Sequence, residues 1–123
     1  MNLLLDTQIA IWLAANSPKL PRAALDAMDR AHALYLSAAS IWEMALKSSK
    51  LRIDVARLAE RFAEAGILAL PVTWEHAVRS GEIAAAHPDP FDRLLLAQAM
   101  HEPMHLLTSD AALARYSDNV IEV

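Results

Sequence analysis

The chain has 123 residues, 55% of them hydrophobic, and a formal net charge of −4. That length and apolar content suit a single domain spanning residues 1–123 around one core, and the absence of cysteine excludes disulfides, thiolate catalysis and thiolate zinc sites together. Two glycines, Gly66 and Gly81, are too few for a glycine-rich phosphate cradle or a dinucleotide fingerprint. The net charge is not that of a broadly basic nucleic-acid binder. No stretch is long and apolar enough to span a bilayer. The N-terminus lacks the basic lead of a signal peptide, so the expected location is the cytoplasm, away from the membrane.

In chain order, residues 2–5 read as a buried parallel strand, and residues 7–15 as a helix ended by Asn16-Ser17-Pro18. Leu20, Ala24, Leu25 and Met28 mark a second helix, with Pro21 tolerated in its first turn. A short strand at 34–36 leads into a helix that Ser37 can cap. The apolar stripe predicted for that helix is Ala38, Ile41, Trp42, Ala45 and Leu46. Val55, Leu58, Ala59 and Phe62 predict another helix, Ile67 to Val72 a strand, and Trp74 to Gly81 a further helix. After the loop His87-Pro88-Asp89-Pro90, Asp89 caps a helix with Pro90 at its first position, running to about Glu102. Met104–Thr108 form a strand, 111–116 a short helix and 120–123 an edge strand. Strands alternating with helices argue for an α/β fold with a mainly parallel sheet covered on both faces.

In such a sheet ligands collect at the carboxyl ends of the strands. Four acids fall there. Asp6 follows Leu3-Leu4-Leu5, Asp110 follows Leu106-Leu107-Thr108-Ser109, Glu43 lies on the first turns of the helix after the second strand, and Asp92 lies in a first helical turn. Each has a structural explanation when taken alone. Asp6 and Asp110 are good N-caps, Asp92 suits a helix dipole, and Glu43 can pair with Lys47 one turn on. Together they are costly to bury unpaired, and a hard divalent cation with oxygen ligands resolves the repulsion. Ser40, one turn ahead of Glu43, and Thr7, beside Asp6, can hydrogen-bond an acid or a water held at the cation. Arg93 and Lys47 are candidates for touching a substrate phosphate. A basic window, Lys47, Lys50, Arg52, Arg57 and Arg61, is either a phosphate-backbone patch or a solvated helix face.

The string His101-Glu102-Pro103-Met104-His105 matches the zinc pattern H-E-x-x-H. That pattern needs both histidines one turn apart on one helix, and Pro103 breaks the helix between them. A zinc hydrolase built on His101, Glu102 and His105 is therefore a minor alternative. Trp12, Trp42 and Trp74 read as core rather than base-stacking platforms, and His32, His76 and His87 show no ligand spacing.

Four segments carry a resemblance: Leu3-Leu4-Leu5-Asp6-Thr7, Ser37 to Lys47, Asp89-Pro90-Phe91-Asp92-Arg93-Leu94-Leu95-Leu96-Ala97-Gln98-Ala99, and Leu107-Thr108-Ser109-Asp110. At these residues the chain resembles a PIN-domain ribonuclease, specifically a toxin of the VapC type. The second and third segments are the specific ones. The resemblance implies a three-layer α/β/α sandwich. It implies that Asp6, Glu43, Asp92 and Asp110 hold Mg²⁺ or Mn²⁺ and that the reaction is RNA cleavage. It also implies a homodimer and an antitoxin that wraps helices 20–31 and 54–65 and blocks the site. On this reading the cation activates water and stabilises charge at phosphorus, and no side chain need be the nucleophile. A non-catalytic module or a receiver-like domain is the rival class. A receiver would want a second acid near Asp6 and a lysine at a late strand end, and neither is visible. A phosphatase with Asp6 as nucleophile would want an aspartate where Gln8 stands.

Overall fold

The computed structural model describes residues 1–83 and 87–123. Its elements are β1 (Asn2–Leu5), α1 (Thr7–Ala14), α2 (Arg22–Arg30), β2 (Ala33–Ser37), α3 (Ala38–Leu46), α4 (Ser48–Leu51), α5 (Val55–Glu64), β3 (Leu68–Leu70), α6 (Trp74–Glu82), α7 (Pro90–His101), β4 (His105–Thr108), α8 (Ala111–Ala114) and β5 (Val120–Glu122). The strands form one parallel sheet in the order β3-β2-β1-β4-β5. Each parallel pair of neighbouring strands is joined through helices, as parallel pairing requires. The chain steps outward from β1 to β2 and β3, then returns past β1 to lay down β4 and β5. The direction of winding therefore reverses between β1 and β4, and the loops leaving those strands diverge to make a crevice.

Side-chain alternation along β1 divides the core in two. Leu3 and Leu5 face one side, where they meet Ile9, Ala10, Ala24, Met28, Met44, Leu58 and Phe62 from α1, α2, α3 and α5. Leu4 faces the other, where it meets Leu95, Leu96 and Ala99 of α7 and Leu113 of α8. Strand β4 repeats the split, with Leu107 on the first side and Leu106 on the second. Because both faces are covered, the central strands are apolar throughout rather than alternating with polar residues. Leu3, Leu4, Leu5, Leu106 and Leu107 are all fully buried.

Several boundaries differ from the sequence reading. Helix α2 starts at Arg22, with Pro21 as its N-cap residue. Strand β3 is only three residues long because Pro71 offers no N–H to extend the ladder. The one-turn helix α4 was not expected; it ends at Arg52 in the left-handed region, φ 55°. The predicted stripe on α3 is corrected. Ala38, Trp42, Ala45 and Leu46 are exposed, and Ala39, Ser40 and Met44 are buried. Ala38-Ala39-Ser40-Ile41-Trp42-Glu43-Met44-Ala45-Leu46 is apolar almost all round, so periodicity alone does not select a face. A buried hydroxyl partner for Ser40 selects it. Trp42 and Trp74 are accordingly not core residues; they are 59% and 90% exposed. Trp12 does pack against the core. No helix among the described residues is long and apolar enough to cross a membrane.

Candidate metal centre

Parallel register brings the ends of β1, β2 and β4 to one edge of the sheet, and the acids arrive with them. Asp6 is the residue after β1, and its N–H donates to Leu107 O at 3.0 Å. Asp110 follows β4 by two residues and caps α8, its Oδ1 accepting from Ala112 N at 2.9 Å. Glu43 is presented from α3, which begins directly after β2. Asp92 sits in the first turn of α7, whose cap is Asp89, accepting from Phe91 N at 2.9 Å and Asp92 N at 3.4 Å. All four acids, with Asp89, Thr7 and Lys47, line one cavity of about 330 Å³.

The structural explanation of Asp6 as a helix cap does not hold. Asp6 occupies the N-cap position of α1 but makes no side-chain cap bond. Its Oδ2 instead accepts from Thr108 Oγ1 at 2.6 Å. The same hydroxyl accepts from Asp110 N at 3.0 Å, so Thr108 ties the first and last acids together. Thr7 donates to Ser40 at 2.8 Å, and both are buried. That pair clamps the start of α1 onto α3 and fixes the separation of Asp6 from Glu43. Ser40 is therefore not a solvent-facing serine.

The electrostatics of the cavity are strained. Burial pushes the Asp6 carboxyl from 3.8 up to about 6, against the pull of the Thr108 hydrogen bond, and Asp92 and Glu43 add to the rise. Burial also raises Asp92, with the hydrogen bond from His87 opposing it. Lys47 Nζ lies 2.8 Å from Glu43 Oε2. Glu43 holds the Lys47 ammonium above its ordinary pKa, with Asp89 and Asp92 contributing. One exposed lysine does not neutralise four carboxylates, of which Asp6 is buried and the other three half-buried. Oxygen donors of this number and charge fit a hard divalent cation. Arg93 is partly buried on α7 and is not among the residues lining the cavity. In the basic window, Arg57 pairs with Glu60 and Glu64 as on a solvated helix face, Arg61 donates to Ala14 O, and Lys47 lines the cavity.

Two further groupings lay beyond the sequence reading. His87 Nε2 lies 2.8 Å from Asp92 Oδ2, and ligand atoms of His87, Asp92 and Asp110 lie within 4.8 Å of one another. His76, His101 and Glu102 form a second such group. His76 and His87 show no ligand spacing in the sequence, and their acidic neighbours come from packing instead. In the second group, however, His76 Nδ1 accepts from Thr73 N at 3.1 Å, so its Nε2 carries the proton facing Glu102. A protonated ring nitrogen cannot bind a metal. His105 lies on β4, so the H-E-x-x-H string does not assemble on one helix.

A family model described as PIN domain matches residues 3–119. The chain is 32% identical over 119 residues to the ribonuclease VapC22 of Mycobacterium tuberculosis, covering 89% of this chain and 88% of that protein. Its fold is shared by VapBC2 from Rickettsia felis bound to a promoter DNA fragment, at a TM-score of 0.73 and 16% identity, covering 100% of this chain and 98% of that one. A toxin–antitoxin complex from Klebsiella pneumoniae matches at a TM-score of 0.71 and 20% identity, covering 98% of this chain and 99% of that one.

Proposed function

This chain belongs to the PIN-domain family, and from that membership together with its acidic cavity we propose that it is a divalent-metal-dependent endoribonuclease, the toxin of a toxin–antitoxin pair. One observation carries the reading: Asp6, Glu43, Asp92 and Asp110 converge on a single cavity, where burial resists the ionisation of Asp6 and Asp92. Asp6, Asp92 and Glu43 would hold Mg²⁺ or Mn²⁺ directly, and Asp110 would serve a second ion or act through water. When bound, the cation supplies Lewis-acid activation of water and offsets charge developing at phosphorus.

The chain's own groups do the positioning. Thr108 orients the Asp6 carboxylate, and the Thr7–Ser40 clamp keeps α1 and α3 in register. Lys47 would exchange its bond to Glu43 for a substrate phosphate oxygen. Arg93, outside the cavity wall, would contact the RNA backbone away from the scissile bond. A cognate antitoxin would wrap α2 and α5 and place a basic side chain among the four acids. A homodimer and a cytoplasmic location belong to the same reading, as does a single domain over residues 1–123.

The test is cleavage of single-stranded RNA by purified protein with EDTA, then with Mg²⁺ or Mn²⁺ restored, using Asp6→Asn as the control for contaminating nuclease. Loss in EDTA and recovery with either ion, absent in the variant, is expected. Undiminished cleavage in EDTA overturns the proposal, and rescue by zinc alone would point to His101 and Glu102 instead.

A further inference from the structure

We propose that His87 is a positioning residue of the metal centre, holding one oxygen of Asp92 so that the other is presented to the cation. The inference rests on the metal-dependent reading above and assigns a role to a side chain outside the acidic set.

His87 is 7% exposed, although it belongs to the loop that precedes α7. Its ring is wedged edge-on against Tyr116, with centroids 5.7 Å apart. Tyr116 lies just past α8, the helix that Asp110 caps. The imidazole thus spans from the first turn of α7 to the segment that carries the fourth acid. Its Nε2 meets Asp92 Oδ2 at 2.8 Å. An ionised carboxylate only accepts hydrogen bonds, so the proton lies on Nε2 and His87 is the donor. A nitrogen engaged in this way has no lone pair for a metal. The grouping of His87, Asp92 and Asp110 is therefore two candidate ligands and one outer partner, not three ligands.

The consequence is orientation. An aspartate side chain has a broad second torsion and samples many carboxylate planes. With Oδ2 held, Asp92 offers Oδ1 in one orientation, and less freedom is lost when a cation binds. Outer partners of this kind typically change metal affinity by about 10–100-fold when removed. The Asp89 cap fixes the backbone of Asp92, and His87 fixes its side chain.

The experiment is a Mn²⁺ titration followed by electron paramagnetic resonance on wild type, His87→Leu and His87→Gln. Glutamine places an amide N–H close to the position of Nε2 and should stay within a few-fold of wild type. Leucine keeps the volume without the donor and should bind about 10–100-fold more weakly. Should His87→Leu fail to fold, as judged by circular dichroism in EDTA, His87→Asn takes its place, since its amide falls one bond short of Asp92. Equal affinity in the variant lacking the donor overturns the inference while leaving the metal reading intact. Strong ¹⁴N coupling from a directly bound imidazole in wild type, lost in His87→Gln, overturns it in favour of ligation. No Mn²⁺ binding by wild type at all removes the metal reading and the inference with it.

Discussion

Replacing Asp6 by asparagine should stabilise the metal-free protein even as it destroys the site. Asp6 is 7% exposed, and its carboxyl is raised from 3.8 to about 6. Between those values the folded state holds its proton longer than the unfolded chain does, so wild-type stability falls as pH rises through this window. The full penalty, present above about pH 6, is roughly 3 kcal/mol at 1.36 kcal/mol per pH unit. Asparagine removes it. Its Oδ1 still accepts from Thr108, but its amide brings a buried donor that costs about 1 kcal/mol. The net gain is about 2 kcal/mol, or about 8 °C for the unfolding entropy typical of a chain this long. Calorimetry in EDTA at pH 7.5 and pH 4.5 measures it directly. At the lower pH about two-thirds of the wild-type penalty has gone, so the two melting temperatures should draw together. Equal melting temperatures at pH 7.5, or a gap that does not narrow at pH 4.5, would refute the claim that a buried carboxylate is the strained group.

Asp92→Asn should lower RNA cleavage by at least about 100-fold, the loss of a few kcal/mol of transition-state stabilisation, while circular dichroism stays unchanged; normal cleavage would remove Asp92 from the ligand set. His101→Ala should leave cleavage within about two-fold of wild type, because His101 lies outside the acidic cavity and its exposed side chain is of the kind whose loss costs little; an inactive, folded variant would revive the histidine centre. Thr108→Val should destabilise by about 1–3 kcal/mol, measured by urea titration at pH 7.5, because Asp6 Oδ2 and Asp110 N lose their shared partner. Bound antitoxin should weaken Mn²⁺ affinity, since a basic side chain and the cation compete for the same carboxylates; unchanged affinity in the complex would mean that inhibition works by blocking RNA access alone.

The sheet was legible because its strands are short apolar runs bounded by strong signals. Leu3-Leu4-Leu5 before Asp6, and Pro103 ahead of β4, leave little freedom in where those strands lie. The four acids were legible for the same reason: they sit at strand ends and first helical turns, and parallel topology converts those positions into one neighbourhood. The face of α3 was not legible. Nine residues with one charge have no clear polar side, and the burial of Ser40 depends on Thr7, 33 residues away. Thr108 and His87 were missed as hydrogen-bond partners of the acids on similar grounds. Thr108 reads as an ordinary strand residue until β1 is laid beside β4, 102 residues from Asp6. His87 stands five residues before Asp92 in a loop, and nothing in that spacing predicts that its ring turns back onto the carboxylate. The exposure of Trp42 was hidden because an apolar residue beside Glu43 fits a core stripe as well as a surface. Its ring packs on Phe91 instead, with centroids 5.2 Å apart, along the α3–α7 seam.

The central claim is that Asp6, Glu43, Asp92 and Asp110 form a cation site. Anomalous diffraction from crystals soaked in Mn²⁺ tests it most directly. A peak is expected inside the cavity, with carboxylate oxygens of Asp6 and Asp92 at about 2.1–2.2 Å, close to the distance expected for a small hard divalent ion, and with His87 Nε2 outside coordination range. A peak confined to His76, His101 and Glu102, or no peak between Asp6 and Asp92, would contradict it.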